Sequence, residues 1–149
     1  MARIGSRRNC DTAKMNTEIL RSKEALRKQQ YTANKSISPG ERAAAAELIC
    51  ARFKELEVWR NSRSILFYAP LPDEPDIWPL LTEAKAAGKT VMLPRYSTED
   101  HAYIAGRIEN LNQDLHTARF GIREPVADCP DFPLNQLALI LVPGVVWSG

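Results

Sequence analysis

The segment SILFYAPLPDEP, residues 64–75, decides the fold when it is read together with TVMLP at residues 90–94. Residues 64–68 and 90–94 are short apolar runs of the kind that form buried strands. Between them, residues 77–87 place apolar side chains at helical spacing, and Gly88 follows as a helix stop. A strand, a loop, a helix and a second strand within about 30 residues form a βαβ unit, which favours a parallel sheet in a layered α/β fold.

Further elements are predicted on both sides of this unit. One helix is predicted over residues 17–30. A second, over residues 38–57, begins with SPGE, which supplies the N-cap serine, first-turn proline and third-position glutamate of a capping box. A strand over residues 103–108 is interrupted by a glycine, and residues 137–142 read as the most strongly buried strand of the chain.

The composition is that of an ordinary globular protein. The chain has 149 residues, of which 44% are apolar and 26% charged, which excludes a disordered tail and a disulfide-dense miniprotein. No apolar run approaches the roughly 18 residues of a membrane span. Cys10, Cys50 and Cys129 form no CxxC pair, so a zinc site or disulfide framework has no support and a cytoplasmic protein is predicted. Residues 1–15 are interpreted as a loose extension and residues 16–149 as one domain.

Positive charge is concentrated near the N-terminus. Residues 1–35 hold nine Lys and Arg against three Asp and Glu, a net charge of +6, which leaves −4 on the remaining residues. This segment indicates an anionic partner or, alternatively, a solvated helix face. Lys23 and Arg27 lie four residues apart and therefore share one face of the predicted helix. A phosphate would turn their repulsion into two charge-assisted hydrogen bonds, whereas water would simply screen it.

A second candidate site follows the first predicted strand. Asp73, Glu74 and Asp76 would lie at the edge of the sheet where open α/β folds bind ligands. Because prolines restrict this loop, a carboxylate there could accept paired N–H donors from a heterocycle or hold a metal through water. A proline-rich turn with solvated acids is the alternative. By the same logic, Arg95 would lie at this edge after the second strand.

Two other patterns are rejected as functional sites. GKT at residues 88–90 looks like the end of a phosphate-binding loop, but Glu83 stands where that motif needs glycine and the helix precedes the strand. A helix end followed by a strand is predicted instead. His101 and His116 lie in polar stretches without HExxH spacing, so surface positions are predicted and a histidine metal site has little support.

Five motifs, in this order, resemble the 5-formyltetrahydrofolate cyclo-ligase family. They are KEALR at residues 23–27, YAPLPDE at 68–74, GKTVMLPR at 88–95, GIREP at 121–125 and LILVPGV at 139–145. The resemblance covers residues 18–149. It implies a three-layer αβα fold around a mainly parallel sheet, with ATP and a reduced folate bound at the strand ends.

The resemblance also implies a chemistry. In the presence of Mg²⁺, 5-formyltetrahydrofolate and ATP would give 5,10-methenyltetrahydrofolate, ADP and phosphate. The formyl oxygen attacks the γ-phosphate, N10 closes the ring and phosphate leaves, so positioning carries the reaction without a protein nucleophile. The residues that the resemblance assigns to ATP are Lys23, Glu24, Ala25, Leu26 and Arg27. It assigns the folate to Ala69 and Glu74, and gives no role to Arg95 or Glu124 and no metal ligand.

The chain departs from the family pattern in two places. The family shows Glu-x-x-Thr in the loop, whereas Glu74 is followed by Pro75, Asp76 and Ile77, without a hydroxyl. The family also continues into a G-x-G-x-G-Y-Y-D-R segment, so the chain is expected to lack the C-terminal portion of the domain. Losing even one preorganised donor of that kind costs roughly 10²–10³ in rate, so impaired catalysis by a monomer is expected.

Two classes of function therefore remain open. One is the ATP- and Mg²⁺-dependent cyclo-ligase, with a reduced folate as its substrate. The other is a non-catalytic remnant that binds nucleotide or folate weakly or acts as an interaction partner. A nucleic-acid partner has little support because no basic motif is interleaved with aromatic residues. No membrane partner is predicted.

Overall fold

A computed structural model describes residues 7–99 and 101–144 of the chain, which divides into two compact units. One unit contains the helix α1, Arg7–Ser36, and the other comprises residues 38–143. Helix α1 extends beyond the predicted residues 17–30 at both ends, because no proline or glycine interrupts the chain before Pro39. Residues 7–15, expected to form a loose extension, are therefore helical, and residues 1–6 lie outside the described part.

The unit of residues 38–143 contains the predicted βαβ arrangement. Its helices are α2 (Pro39–Glu55), α3 (Glu57–Asn61) and α4 (Trp78–Ala86). Its strands are β1 (Ser64–Leu66), β2 (Thr90–Ser97), β3 (Ala102–Ile108), β4 (Leu115–Thr117), β5 (Arg123–Pro125), β6 (Asp131–Phe132) and β7 (Leu139–Ile140). Short 3₁₀ turns occupy Arg119–Gly121 and Leu134–Gln136.

The main sheet has the strand order β6-β3-β2-β1-β7. Strand β1 pairs in parallel with both β2 and β7, whereas β3 runs antiparallel to β2 and β6. Strands β4 and β5 form a separate antiparallel ribbon. The predicted α/β class, with helices packed on a central sheet, is confirmed. The sheet is parallel around β1 and antiparallel toward β6.

The hydrophobic core lies between one face of the sheet and the helices α2, α3 and α4. Ile65 of β1 pairs with Val91 of β2, so both side chains point to the same face, and Phe67 follows two residues later. Ile65 and Phe67 are 0% and 1% exposed. The helices contribute Cys50, Trp59, Leu80, Leu81 and Ala84 to this cluster.

Two strand predictions differ from the structure. Pro94 was expected to end the second strand, yet β2 continues to Ser97. The last register pair between β1 and β2 joins Leu66 to Met92. Pro94 lies beyond this pair, where β2 is no longer paired with β1, so its missing N–H is tolerated. The strand predicted over residues 137–142 contains only the short edge strand β7, and Ile140 is 52% exposed. The prediction of a fully buried strand there is wrong.

Gly106 does not interrupt β3. It lies opposite Leu93, and the ribbon crosses directly over it. A Cβ at this position would lie 2.7 Å from Cβ of Pro125 and 2.9 Å from its Cγ. The glycine therefore permits β5 to approach the sheet closely.

Residues 88–90 have the structural role predicted for them. Gly88, at φ 74°, ends α4, and Thr90 begins β2. Lys89 reaches the end of α3, where its ammonium donates to the carbonyl oxygens of Trp59 at 2.9 Å and Ser62 at 2.6 Å. It also lies over the Trp59 ring, 5.6 Å from the centroid. The lysine satisfies carbonyls that a helix end leaves without intrahelical partners.

Replacing Lys89 with Met should destabilise the protein, because the carbonyls at the end of α3 would lose a charged donor. The expected loss is about 1.5–3 kcal/mol of unfolding free energy, measured by urea denaturation. The control is Lys54→Met, which removes the exposed ion pair with Glu83 and should cost less than about 1 kcal/mol. Equal losses in the two variants would contradict the capping role.

The capping box predicted at the start of α2 is present. The Ser38 hydroxyl accepts from the Glu41 amide at 3.3 Å, and Oε2 of Glu41 accepts from the Ser38 amide at 2.9 Å. The hydrogen bonds that Ser38 donates lower the pKa of the Glu41 carboxyl from its ordinary value of 4.5. The ionised carboxylate is therefore favoured in the folded state.

The lowered pKa of Glu41 makes the free energy of unfolding depend on pH in the acid range. The stabilisation by Glu41 is fully present above pH 4.5 and is lost as the pH falls through the lowered folded-state pKa. Glu41→Gln should weaken this part of the acid dependence, measured as the urea midpoint from about pH 2 to pH 6. Glu47→Gln, an exposed glutamate on the same helix, is the control. Parallel profiles for the wild type and Glu41→Gln would contradict the prediction.

Candidate functional site

The segment between β1 and α4, residues 67–77, is called the β1–α4 loop. It leaves the carboxyl end of β1, and the Phe67 amide still donates to the Met92 carbonyl at 2.9 Å. The chain then turns at residues 71–74, where the Glu74 amide donates to the Leu71 carbonyl at 3.0 Å. Pro72 stands at the second position of this turn, for which its restricted φ is suited. The loop is therefore ordered by its own backbone.

Glu74 is half-buried, and its carboxylate closes back on the same turn. Oε2 accepts from the Leu71 amide at 2.8 Å. An ionised carboxylate offers about four acceptor positions, so one backbone donor leaves most of that capacity available. The turn thus holds Glu74 in one orientation while leaving it able to accept further N–H groups.

The other two acids of the loop have different surroundings. Asp76 accepts from the Trp78 amide through Oδ1 at 2.9 Å, which satisfies an otherwise free donor in the first turn of α4. Ile77 occupies the N-cap position and lacks a side-chain cap, so Asp76 supplies the oxygen that a threonine would offer there. The Asp73 side chain is exposed, while its backbone carbonyl accepts from Nη1 of Arg42 on α2.

Two further titratable groups lie close to the loop. Burial, followed by the negative charge of Glu74, raises the pKa of Tyr68 to about 12. The Cys50 thiol lies 3.6 Å from the Asp76 carbonyl, and burial together with the charge of Asp76 raises its pKa. At neutral pH the phenol is therefore a hydrogen-bond donor, and the thiol is a poor nucleophile.

A groove of about 380 Å³ lies between α2 and the start of α4, beside the loop. Its wall on α2 includes Ala43, Ala46 and Cys50, and Asp76 and Pro79 line the opposite side. The small side chains make this a mainly apolar surface.

Arg95 holds a neighbouring segment of the chain. Its Nη1 donates to the carbonyl of Ala127 at 2.7 Å, and its Nη2 lies 2.6 Å from Oδ1 of Asp131. Its Nε is buried without a hydrogen-bond partner among the described residues. Together with Glu124 and His116, these residues line a polar cavity of about 500 Å³. The structure thus places Arg95 at the junction between β2 and the segment after β5.

An exposed aromatic pair was missed by the sequence analysis. Tyr96 and Tyr103 are register partners on β2 and β3, with ring centroids 5.5 Å apart and planes at 70°. They are 45% and 65% exposed. Exposed aromatic rings can stack against a planar heterocycle. Only the hairpin register, which brings together residues seven apart, could have indicated the pair.

The predicted ATP-binding residues lie on α1, in the other compact unit. The side chains of Lys23 and Arg27 are exposed and one helical turn apart, as their spacing predicted. Glu24, Ala25 and Leu26, between them, are also exposed. Their interaction with ATP remains a prediction.

Both histidines, His101 and His116, have exposed positions, in agreement with the surface positions predicted for them. Within the described residues, no group of three or more His, Cys, Asp or Glu side chains could hold a metal ion. In the same part of the chain, no helix has the length and apolar character needed to cross a membrane.

Comparison with known proteins gives a matching family and similar solved structures. The sequence model of the 5-formyltetrahydrofolate cyclo-ligase family matches residues 19–148. The fold resembles the NMR structure of 5,10-methenyltetrahydrofolate synthetase from Aquifex aeolicus, with a TM-score of 0.71 and 28% sequence identity. The match covers 83% of this chain and spans 61% of the length of that chain. No curated protein matches the sequence significantly.

The cap at the start of α4 can be tested at Asp76. Asp76→Ala should lower the unfolding free energy by about 1 kcal/mol in urea denaturation, because the Trp78 amide loses its acceptor. It should also lower the pKa of Cys50, seen as faster thiol alkylation at a given pH. Asp73→Ala, in the same loop, keeps the backbone carbonyl and is the control. A stability loss as large in Asp73→Ala would contradict the capping role.

Proposed function

Since the chain belongs to the 5-formyltetrahydrofolate cyclo-ligase family, we propose that it converts 5-formyltetrahydrofolate and ATP into 5,10-methenyltetrahydrofolate, ADP and phosphate. The observation that carries this proposal is the family match over residues 19–148, which includes both candidate binding segments. These are the basic segment of α1 and the β1–α4 loop. The similar fold of the Aquifex aeolicus synthetase supports the same conclusion.

In this proposal, residues 23–27 of α1 bind the phosphates of ATP. Lys23 and Arg27 are exposed cations one turn apart, a spacing that suits two oxygens of a polyphosphate. An anion between them would remove the repulsion of the like-charged pair, which is otherwise about 0.2–0.5 kcal/mol.

The β1–α4 loop would bind the reduced folate. Glu74 is half-buried and held by the Leu71 amide, so the remaining acceptor positions of its carboxylate can meet the N–H groups of a pterin ring. Ala69, half-buried where the loop leaves β1, would line the same pocket. The exposed rings of Tyr96 and Tyr103 offer a further surface for a planar group.

Magnesium would enter with the nucleotide. Mg²⁺ in nucleotide sites is commonly held by phosphate oxygens, water and one or two carboxylates, so a cage of protein ligands is unnecessary. Its role would be to neutralise charge on the phosphates.

Tyr68 and Cys50, the titratable neighbours of the loop, are suited to binding and orienting a substrate rather than to attacking it. The raised pKa values of Tyr68 and Cys50 keep both groups neutral, so neither is activated as a nucleophile. The proposed reaction transfers a phosphoryl group from one substrate to the other, which needs no covalent bond to the protein.

Purified chain supplied with 5-formyltetrahydrofolate, ATP and Mg²⁺ should give an ATP-dependent rise in the absorbance of methenyltetrahydrofolate. Lys23→Glu should weaken ATP binding at least tenfold, about the effect of losing a charge-assisted hydrogen bond. Glu74→Gln should weaken 5-formyltetrahydrofolate binding by about the same factor, because one carboxylate acceptor becomes an amide donor.

Matched controls are available on the same elements. Lys28→Glu reverses an exposed charge on α1, and Asp73→Asn removes an exposed charge beside Glu74. Both should leave affinity within about twofold of the wild type. Ligand binding without turnover would favour the non-catalytic alternative. Unchanged affinities in Lys23→Glu and Glu74→Gln would remove the two site assignments.

A further inference from the structure

Arg42 joins helix α2 to the β1–α4 loop. It is half-buried, and its Nη1 donates to the carbonyl oxygen of Asp73, 31 residues further along the chain. The sequence analysis gave it no role. Nothing in the pattern around Arg42 indicates a long-range contact, since it follows the capping box as an ordinary first-turn residue.

The position of Arg42 is well determined on its own helix. Its amide donates to the Ser38 carbonyl at 3.0 Å, and Ser38 is held by the reciprocal bonds to Glu41. The guanidinium therefore extends from the most firmly capped part of α2.

The bonded carbonyl belongs to the peptide group that connects Asp73 to Glu74. Its direction sets ψ of Asp73, and therefore the direction in which the next residue presents its side chain. The N–H of the same peptide group donates to the Leu71 carbonyl at 3.0 Å. Both polar atoms of this peptide group are therefore hydrogen-bonded, the oxygen to Arg42 and the N–H to Leu71. The Glu74 carboxylate then closes on the Leu71 amide at 2.8 Å.

We propose that Arg42 is a positioning residue of the folate site, which holds the Asp73–Glu74 peptide so that the Glu74 carboxylate is presented in its binding orientation. The inference rests on the proposed function, in which Glu74 binds 5-formyltetrahydrofolate. Arg42 itself need not touch the folate. Its proposed effect on folate binding passes through the Asp73 carbonyl to the Glu74 carboxylate.

Loss of this bond has a specific expected consequence. The loop still has its prolines and its internal turn, and the core beneath α2 is unchanged, so the fold persists. The Asp73–Glu74 peptide gains alternative orientations, and only a fraction of molecules then present Glu74 correctly. The apparent affinity for folate falls by that fraction, whereas ATP binding on α1 does not depend on it.

The test compares Arg42→Met and Arg42→Lys with Arg52→Met, an exposed arginine on the same helix. Arg42→Met should weaken 5-formyltetrahydrofolate binding about tenfold, the effect of losing one hydrogen bond to a charged donor, with ATP affinity unchanged. Arg42→Lys retains a charged donor and should recover part of that loss. Arg52→Met should match the wild type.

A double-mutant cycle with Glu74→Gln distinguishes positioning from general destabilisation. If Arg42 acts through Glu74, then Arg42→Met should have little further effect in the Glu74→Gln background. The Leu71 amide resonance gives a second readout, since this amide donates to the Glu74 carboxylate and its chemical shift should change in Arg42→Met.

The results would distinguish a failure of the Arg42 role from a failure of the proposed folate binding by Glu74. Additive losses, an equal loss of ATP affinity or an unaltered Leu71 resonance would overturn the positioning role. If Glu74→Gln binds 5-formyltetrahydrofolate normally, the folate assignment of Glu74 fails first. A loss in Glu74→Gln without any loss in Arg42→Met would leave that assignment in place and refute the role of Arg42.

Discussion

Strand β1 is the constraint on which the unit of residues 38–143 depends. It has only three residues, yet it pairs in parallel with both β2 and β7. Its register directs Ile65 into the core, and the following Phe67 lies on the same face beneath the helices. A shift by one residue would turn Ile65 and Phe67 to the opposite face and put the half-buried Ser64 and Leu66 in their place. Because the loop begins where β1 ends, the register that satisfies the core also determines where Glu74 lies.

The β1–α4 loop is ordered by contributions from several levels of structure. Prolines restrict its backbone, the turn at residues 71–74 closes on itself, and Asp76 is committed to the start of α4. Helix α2 supplies bonds to two carbonyls, from Arg42 to Asp73 and from Cys50 to Asp76. These carbonyls stand on either side of Glu74. A loop held at both flanks loses less conformational entropy on binding than a free loop would.

The sequence predicted those features that depend on local pattern. The capping box at Ser38, the helix stop at Gly88 and the order of the βαβ unit each follow from a short run of residues, and all are present. Helix α1 is longer than its weak apolar periodicity indicates, because no stop signal follows before Pro39. Strand β7 was overestimated because an apolar run does not reveal whether a strand has one neighbour or two.

The candidate site was predictable only in part, for a related reason. Exposed cations one turn apart can be recognised from helical spacing, and a loop after a strand can be recognised from its prolines. The bond from Arg42 to a carbonyl 31 residues away has no such local signature. The same is true of Arg95, whose two Nη groups are committed to Ala127 and Asp131 by the path of the chain after β5.

The distribution of charge around the loop also limits the chemistry that the protein can perform. Burial, together with the negative charge of Asp76 or Glu74, raises the pKa values of the Cys50 thiol and the Tyr68 phenol, so both groups are neutral at neutral pH. The cations suited to phosphates lie instead on α1, in a separate stretch of the sequence. In the proposed reaction, the protein would bind and orient the nucleotide and the folate, and the reacting atoms would come from these two ligands. That division is what a reaction between a nucleotide and a second substrate requires.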